Sequence, residues 1–136
     1  MRITVETTVN APVEKVWECW TKTEHIMQWN SASPDWHTPK ATNDLRDGGV
    51  FTSRMEAKDG SVGFDFEGTY TKIIDHEQID YVMSDGRTVS ITFNEQGGAT
   101  HVTETFDPES ENSPEMQRSG WQAILDNFKK YAEAQA

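Results

Sequence analysis

Two polar side chains interrupt faces that this chain otherwise keeps apolar. Near the end of the strand-like stretches, alternation puts Val102, Glu104 and Phe106 on one side. On the last amphipathic segment, Gln117 projects about 40° from Trp121, between Ile124 and Phe128. A carboxylate withdrawn from water is costly unless paired, and burial raises its proton affinity. Glu104 is therefore a candidate ligand anchor or proton acceptor. Two plainer roles stand beside that one: reaching solvent near the open edge of a sheet, or pairing with Arg118. Tyr70 and Tyr81 add hydroxyls suited to orienting a bound molecule.

Other reactive residue types point to no site. His25, His37, His76 and His101 follow no metal-ligand spacing and read as surface or turn residues. Cys19, between Trp17 and Trp20 with no Cys or His partner nearby in sequence, reads as a small buried hydrophobe rather than a nucleophile. No phosphate-binding, nucleophile-elbow or dinucleotide motif occurs. Gly48-Gly49 and Gly97-Gly98 read as hairpin turns. No catalytic residue, metal or cofactor is expected.

The elements that position these residues follow from periodicity. Residues 2–9 alternate, with Ile3, Val5, Thr7 and Val9 on one face of a strand. Pro12 suits the first turn of a helix capped by Asn10 or Ala11, whose Val13, Val16, Trp17 and Trp20 recur at helical spacing. Residues 23–29 form a second short helix, capped by Thr21 or Thr23 and presenting Ile26, Met27 and Trp29. Residues 30–39 read as a loop carrying Trp36. Strands follow over 50–57, 62–74, 79–84, 87–94 and 99–106, separated by Gly-containing or polar turns: an antiparallel meander. Its apolar face carries Phe51, Ser53 and Met55, then Phe64, Phe66, Gly68 and Tyr70, then Ile79, Tyr81 and Met83, then Val89, Ile91 and Phe93. After a polar linker, Ser113-Pro114-Glu115 supplies a helix cap, a first-turn proline and a first-turn acid.

In that last helix Trp121, Ile124, Leu125, Phe128 and Ala132 share an arc about 100° wide. Lys129 and Lys130 fall near its far end, where they complement the dipole. A helix of this kind, arriving after all the strands, must lie against their apolar face, which makes an α+β fold. Space that the contact leaves unfilled becomes a pocket. Trp121→Ala and Phe128→Ala are each expected to cost about 3–5 kcal/mol.

The 136 residues fit one domain spanning 1–136, with a formal net charge of −11. That charge disfavours nucleic acid and anionic membrane surfaces as partners. The charged, alternating start is unlike a signal peptide or anchor, no apolar run approaches a membrane span, and the lone cysteine suits a reducing cytoplasm. Five Trp and six Phe are many for a small acidic chain, and they serve either an ordinary core or a cavity wall.

Three groups of phrases resemble a known family. They are Val9-Asn-Ala-Pro-Val-Glu-Lys-Val-Trp-Glu-Cys-Trp-Thr with His25 and Gln28-Trp29; Asp44-Leu-Arg-Asp-Gly-Gly-Val-Phe with Asp59-Gly and Phe66-Glu-Gly-Thr; and Gly97-Gly-Ala-Thr-His-Val-Thr with Gly120-Trp121 and Leu125. Together with the element order, they resemble the START-like SRPBCC superfamily, in its bacterial branch related to the C-terminal domain of the activator of Hsp90 ATPase. The resemblance covers nearly the whole chain. It implies a helix-grip, a curved antiparallel sheet around a long C-terminal helix with two short helices after the first strand. It also implies a cavity that takes lipids, hormones, polyketides or other apolar molecules, and an aliphatic residue where Glu104 stands. The eukaryotic co-chaperone carries an N-terminal domain that this chain lacks, so stimulation of Hsp90 is not expected to carry over.

The reading that needs least is non-catalytic binding of a small, largely apolar or aromatic molecule between sheet and C-terminal helix, by a monomer or homodimer. The alternatives are a cyclase- or aromatase-like enzyme and a stress-related co-chaperone-type interaction module. The candidate ligand-contacting residues are Trp29, Trp36, Phe51, Met55, Phe64, Phe66, Tyr81, Met83, Glu104, Gln117, Trp121 and Leu125.

Overall fold

The computed structural model describes residues 2–136. The strands are β1 (Ile3–Val9), β2 (Trp36–Asn43), β3 (Val50–Ala57), β4 (Gly63–Ile74), β5 (Gln78–Met83), β6 (Thr88–Gln96) and β7 (Ala99–Phe106). The helices are α1 (Val13–Thr21), α2 (Thr23–Trp29) and α3 (Pro114–Gln135). All neighbouring strands pair antiparallel in one seven-stranded sheet of order β1-β7-β6-β5-β4-β3-β2. Because α1 and α2 intervene between the first two strands, β1 and β2 end on opposite rims. The long helix packs on β1 and on both short helices. This is the helix-grip that the family resemblance implies, built on the α+β arrangement read from the residue pattern.

Strand β2 is the element that the sequence hides. Residues 36–39 were expected in a loop, yet Trp36 and His37 pair with Ala57 and Glu56 before a register shift that takes in Thr38 and Pro39. Proline lacks a ladder donor and is tolerated at a bulge on a rim strand. A second bulge, between Tyr70 and Lys72, re-phases β4 so that Ile73 faces Ile79. At that bulge the 47–49 turn is stitched to β4: Gly48 N–H donates to the Tyr70 carbonyl, and Tyr70 N–H to the Gly49 carbonyl, both at 2.8 Å. Gly48 has φ +84°, and a Cβ at Gly49 would lie 1.9 Å from the Asp44 carbonyl oxygen, so both positions require glycine.

Capping is only partly legible. Ser113 Oγ accepts from Met116 N–H at 3.2 Å with Pro114 at the first helical position, as the sequence suggests. For α1, however, the cap residue is Pro12, not Asn10 or Ala11, and no side chain of its own caps it. Glu95 from β6 takes over, accepting from Val13 N–H at 3.3 Å. Lys22, rather than either threonine, precedes α2, and Thr21 Oγ1 donates back to the Trp17 carbonyl. The last helix continues to Gln135 with no basic residue in its final turn, so Lys129 and Lys130 do not serve its dipole. Lys129 Nζ donates instead to the Thr8 carbonyl at 2.5 Å and to Glu133, while Gln122 Nε2 donates to the Glu6 carbonyl at 3.1 Å.

The core sits between the inner sheet face and the helices. Leu125, Phe128 and Ala132 are fully buried, whereas Trp121 and Ile124 are only half-buried. Phe128 meets Trp20 and Trp29 edge-on, with centroids 4.8 and 4.9 Å away. Trp29 Nε1–H donates to the Cys19 carbonyl at 2.8 Å, which satisfies a buried indole. Cys19 is wholly buried and burial raises its thiol pKa, the opposite of what a nucleophile needs. No helix among the described residues is long and apolar enough to cross a membrane.

Candidate functional site

Packing between the sheet and the helices is incomplete around Glu104. A cavity of about 240 Å³ lies between the inner faces of the sheet, α2 and the first half of α3. Helices contribute Trp20, Ile26, Trp29, Trp121 and Ile124, and Asn30 lines it from just past the end of α2. The sheet contributes Thr42 from β2, Phe51, Ser53 and Met55 from β3, and Phe64, Phe66 and Tyr70 from β4. It also contributes Ile79 and Tyr81 from β5, Ile91 from β6 and Glu104 from β7. Phe64 both lines the cavity and is 47% exposed, which marks the mouth beside the β3–β4 hairpin.

Gly68 helps to shape the wall. It stands opposite Phe51 in the β3–β4 register, and a Cβ there would lie 2.6 Å from the Phe51 ring. The missing side chain lets Phe51 lie flat across β4, within 4.8 Å of Tyr81 edge-on and 5.2 Å of Tyr70. On the helix side, Trp121 stacks on Phe106 at 3.8 Å with a 9° interplanar angle and meets Phe66 edge-on. The cavity is thus walled largely by aromatic rings held by other rings.

Glu104 is the exception in that wall. Its strand is not a rim strand, since β1 and β6 flank it, and its cross-strand partners are Val5 and Ile91. The side chain is 7% exposed and forms no ion pair with Arg118, so neither plainer role applies. Its carboxyl has no hydrogen-bond partner among the described residues, yet no unpartnered side-chain oxygen is sealed from every void. The oxygens therefore look into the cavity. Loss of water pushes the Glu104 pKa up to about 8, so this acid is largely protonated at neutral pH. Burial also raises the Tyr81 hydroxyl, helped by the Glu104 charge and by Tyr70. Tyr70 differs because its hydroxyl is already committed to Asn43 Oδ1 at 2.6 Å. The free titratable groups of the cavity wall are thus a carboxyl and a phenol, which donate hydrogen bonds at neutral pH and accept them as well, and the side chains of Asn30, Thr42 and Ser53 add neutral polar groups.

The structure brings together Trp29, Phe51, Met55, Phe64, Phe66, Tyr81, Glu104 and Trp121 from the sequence candidates. Four others stand apart. Trp36 lies behind the mouth against Phe64, at 6.0 Å between centroids. Met83 and Leu125 are core residues, buried outside the cavity wall. Gln117 is buried as expected but faces the β7–α3 linker. Its Oε1 accepts from Glu109 N–H at 2.9 Å, and its Nε2 donates to the Glu109 and Asn112 carbonyls. Gln117→Ala is expected to cost about 1–3 kcal/mol in a denaturant titration while leaving any cavity ligand's affinity unchanged. A change in affinity would return Gln117 to the site.

Sequence reasoning missed Trp20, Ile26, Asn30, Thr42, Ile79, Ile91 and Ile124 as wall residues. Ser53 carried a signal, a small polar residue among Phe51, Met55 and other apolar neighbours on one face. Thr42 carried none, because its strand was not evident.

A curled antiparallel sheet gripping a C-terminal helix over an apolar cavity defines a START-like helix-grip protein. The chain belongs to the family described as Activator of Hsp90 ATPase homolog 1-like protein, whose model matches residues 10–133. The solution structure of an AHSA1-like protein from Aeromonas hydrophila is 47% identical, with a TM-score of 0.93 over 99% of this chain and 94% of that one. The solution structure of a protein from Cytophaga hutchinsonii is 52% identical, with a TM-score of 0.85 over 98% of this chain and 93% of that one. A crystal structure from Nitrosomonas europaea shares the fold at 19% identity, with a TM-score of 0.84 over 100% and 96%. No functionally curated protein matches the chain.

Proposed function

We propose that this protein binds a small, largely apolar or aromatic molecule in the cavity between sheet and α3, without converting it. The observation that carries this reading is the void of about 240 Å³ beside an otherwise close-packed core. Interiors of this kind normally fill such space, and an aromatic wall broken by one or two polar groups is the usual build of a ligand pocket. A purely structural core has no use for an unpartnered Glu104. Turnover of a polyketide-like substrate needs a positioned base together with an oxyanion partner. Here the titratable groups free of protein partners are Glu104 and Tyr81, with only the neutral side chains of Asn30, Thr42 and Ser53 beside them, which supports binding over catalysis. The lone buried thiol of Cys19 supports a cytoplasmic setting.

Three wall residues are tryptophans, Trp20, Trp29 and Trp121, so occupancy is readable in their fluorescence. A panel of aromatic and fatty-acid compounds is expected to include binders that quench this emission at micromolar concentration and are recovered unchanged. Native mass spectrometry after incubation with cell extract is expected to retain one such molecule per chain. Consumption of the bound compound would favour the cyclase-like alternative. Silence across the panel and the extract would rule out the binding role.

A further inference from the structure

We propose that the cavity selects a lipophilic amine, its protonated nitrogen on the Glu104 carboxylate and its apolar body against the aromatic wall; this rests on the cavity being a binding site.

Four observations converge on a cation. Glu104 is more than nine-tenths buried, looks into the void, and has no hydrogen-bond or ionic partner among the described residues. No Lys, Arg or His lines the cavity, so the countercharge to an ionised Glu104 can come only from the occupant. The walls near the acid are π faces and edges: Trp121 stacked on Phe106, two positions along β7 from Glu104, with Phe66 edge-on to both Trp121 and Tyr81. Such faces attract ammonium groups and repel carboxylates. The formal net charge of −11 adds a field that concentrates cations and excludes anions.

The proton count follows from the same arrangement. The titratable groups facing the cavity are Glu104 from β7, Tyr81 from β5 and Tyr70 from β4; β2, β3, β6 and the helices contribute none to its wall. Both tyrosines are shifted upward and keep their protons through neutral pH. An ammonium ion entering at neutral pH therefore displaces the Glu104 proton, and the proton leaves to solvent. A neutral ligand of the same shape displaces none.

The test uses three probes of one shape, naphthylmethylamine, naphthylmethanol and naphthoate, titrated calorimetrically into the intact protein. The amine is expected to bind about ten- to hundred-fold more tightly than the alcohol, as a charge-assisted hydrogen bond implies, and the naphthoate most weakly. Repeating the titration in buffers of different ionisation enthalpy is expected to show proton release with the amine only. In Glu104→Gln, checked for folding by its thermal melt, the amine is expected to lose both its advantage and its proton release. An alcohol that binds wild-type protein as well as the amine overturns the cation assignment and leaves the cavity reading standing. Amine binding that survives unchanged in Glu104→Gln overturns it too. Failure of all three probes overturns the amine assignment, while the fate of the cavity reading rests separately on the wider panel and the extract.

Discussion

Glu104→Gln is expected to stabilise the protein, and the gain is expected to grow with pH. The carboxyl titrates near its ordinary 4.5 in the unfolded chain and near 8 in the folded one. Between those values the folded state holds a proton that the unfolded state has lost, so wild-type stability declines as pH rises through this window. The stabilising protonated form is fully populated in both states below about 4.5, and the loss is complete above about 8. Over the whole window the effect is on the order of 4–5 kcal/mol, since a tenfold change in proton affinity corresponds to about 1.4 kcal/mol. Glutamine cannot ionise, so the variant escapes the decline. Asp59, Asp85, Asp107 and Glu133, whose pKa values are lowered mainly by hydrogen bonds, act in the opposite direction at acidic pH, but they are common to both proteins and cancel in the difference. Urea titrations of both proteins at pH 5 and pH 9 measure it. A difference that stays constant between the two would mean that Glu104 is solvated in the folded state.

Phe128→Ala is expected to cost about 3–5 kcal/mol. Phe128 is completely buried and joins three elements at once, its ring edge-on to Trp20 of α1 and Trp29 of α2 while its backbone belongs to α3. Removing the ring takes away buried area and two aromatic contacts, and it opens a hole that the surrounding rings cannot close without moving two tryptophans. The sequence assigned Trp121 the same weight, and the structure separates the two. Trp121 is half-buried and already borders a void, so its truncation enlarges existing space rather than creating new space. A thermal melt that ranks Trp121→Ala as the more damaging would reverse this view of the core.

The contrast between these two residues shows what a periodic pattern can carry. Alternation and helical spacing specify which side of an element is apolar, and that sufficed for Phe51, Phe66, Tyr81 and Phe128. A lone acid on such a side, Glu104, was visible for the same reason. Periodicity does not say how far along a helix the packed region extends, or what folds onto it. Gln117 shares the apolar arc of α3, but the 107–112 linker returns to meet it, and its amide serves backbone groups there. Nor does the pattern reveal a strand held mainly by backbone bonds. Trp36–Asn43 is polar and contains Pro39, and only pairing with β3 makes it a strand, which is why Thr42 and the far wall of the cavity were not foreseen.

The two rims of the sheet are closed in different ways. At β1 the outward carbonyls of Glu6 and Thr8 are already taken by Gln122 and Lys129 of α3. At β2 the register breaks over Thr38 and Pro39, and Pro39 has no N–H to offer. Unpaired strand edges are where foreign chains add on, by recruitment of an extended peptide or by runaway self-association. With one rim occupied and the other interrupted, this sheet is a poor template for growth. Recognition of another chain by strand addition is correspondingly disfavoured, and the small molecule proposed above would enter through the opening beside Phe64.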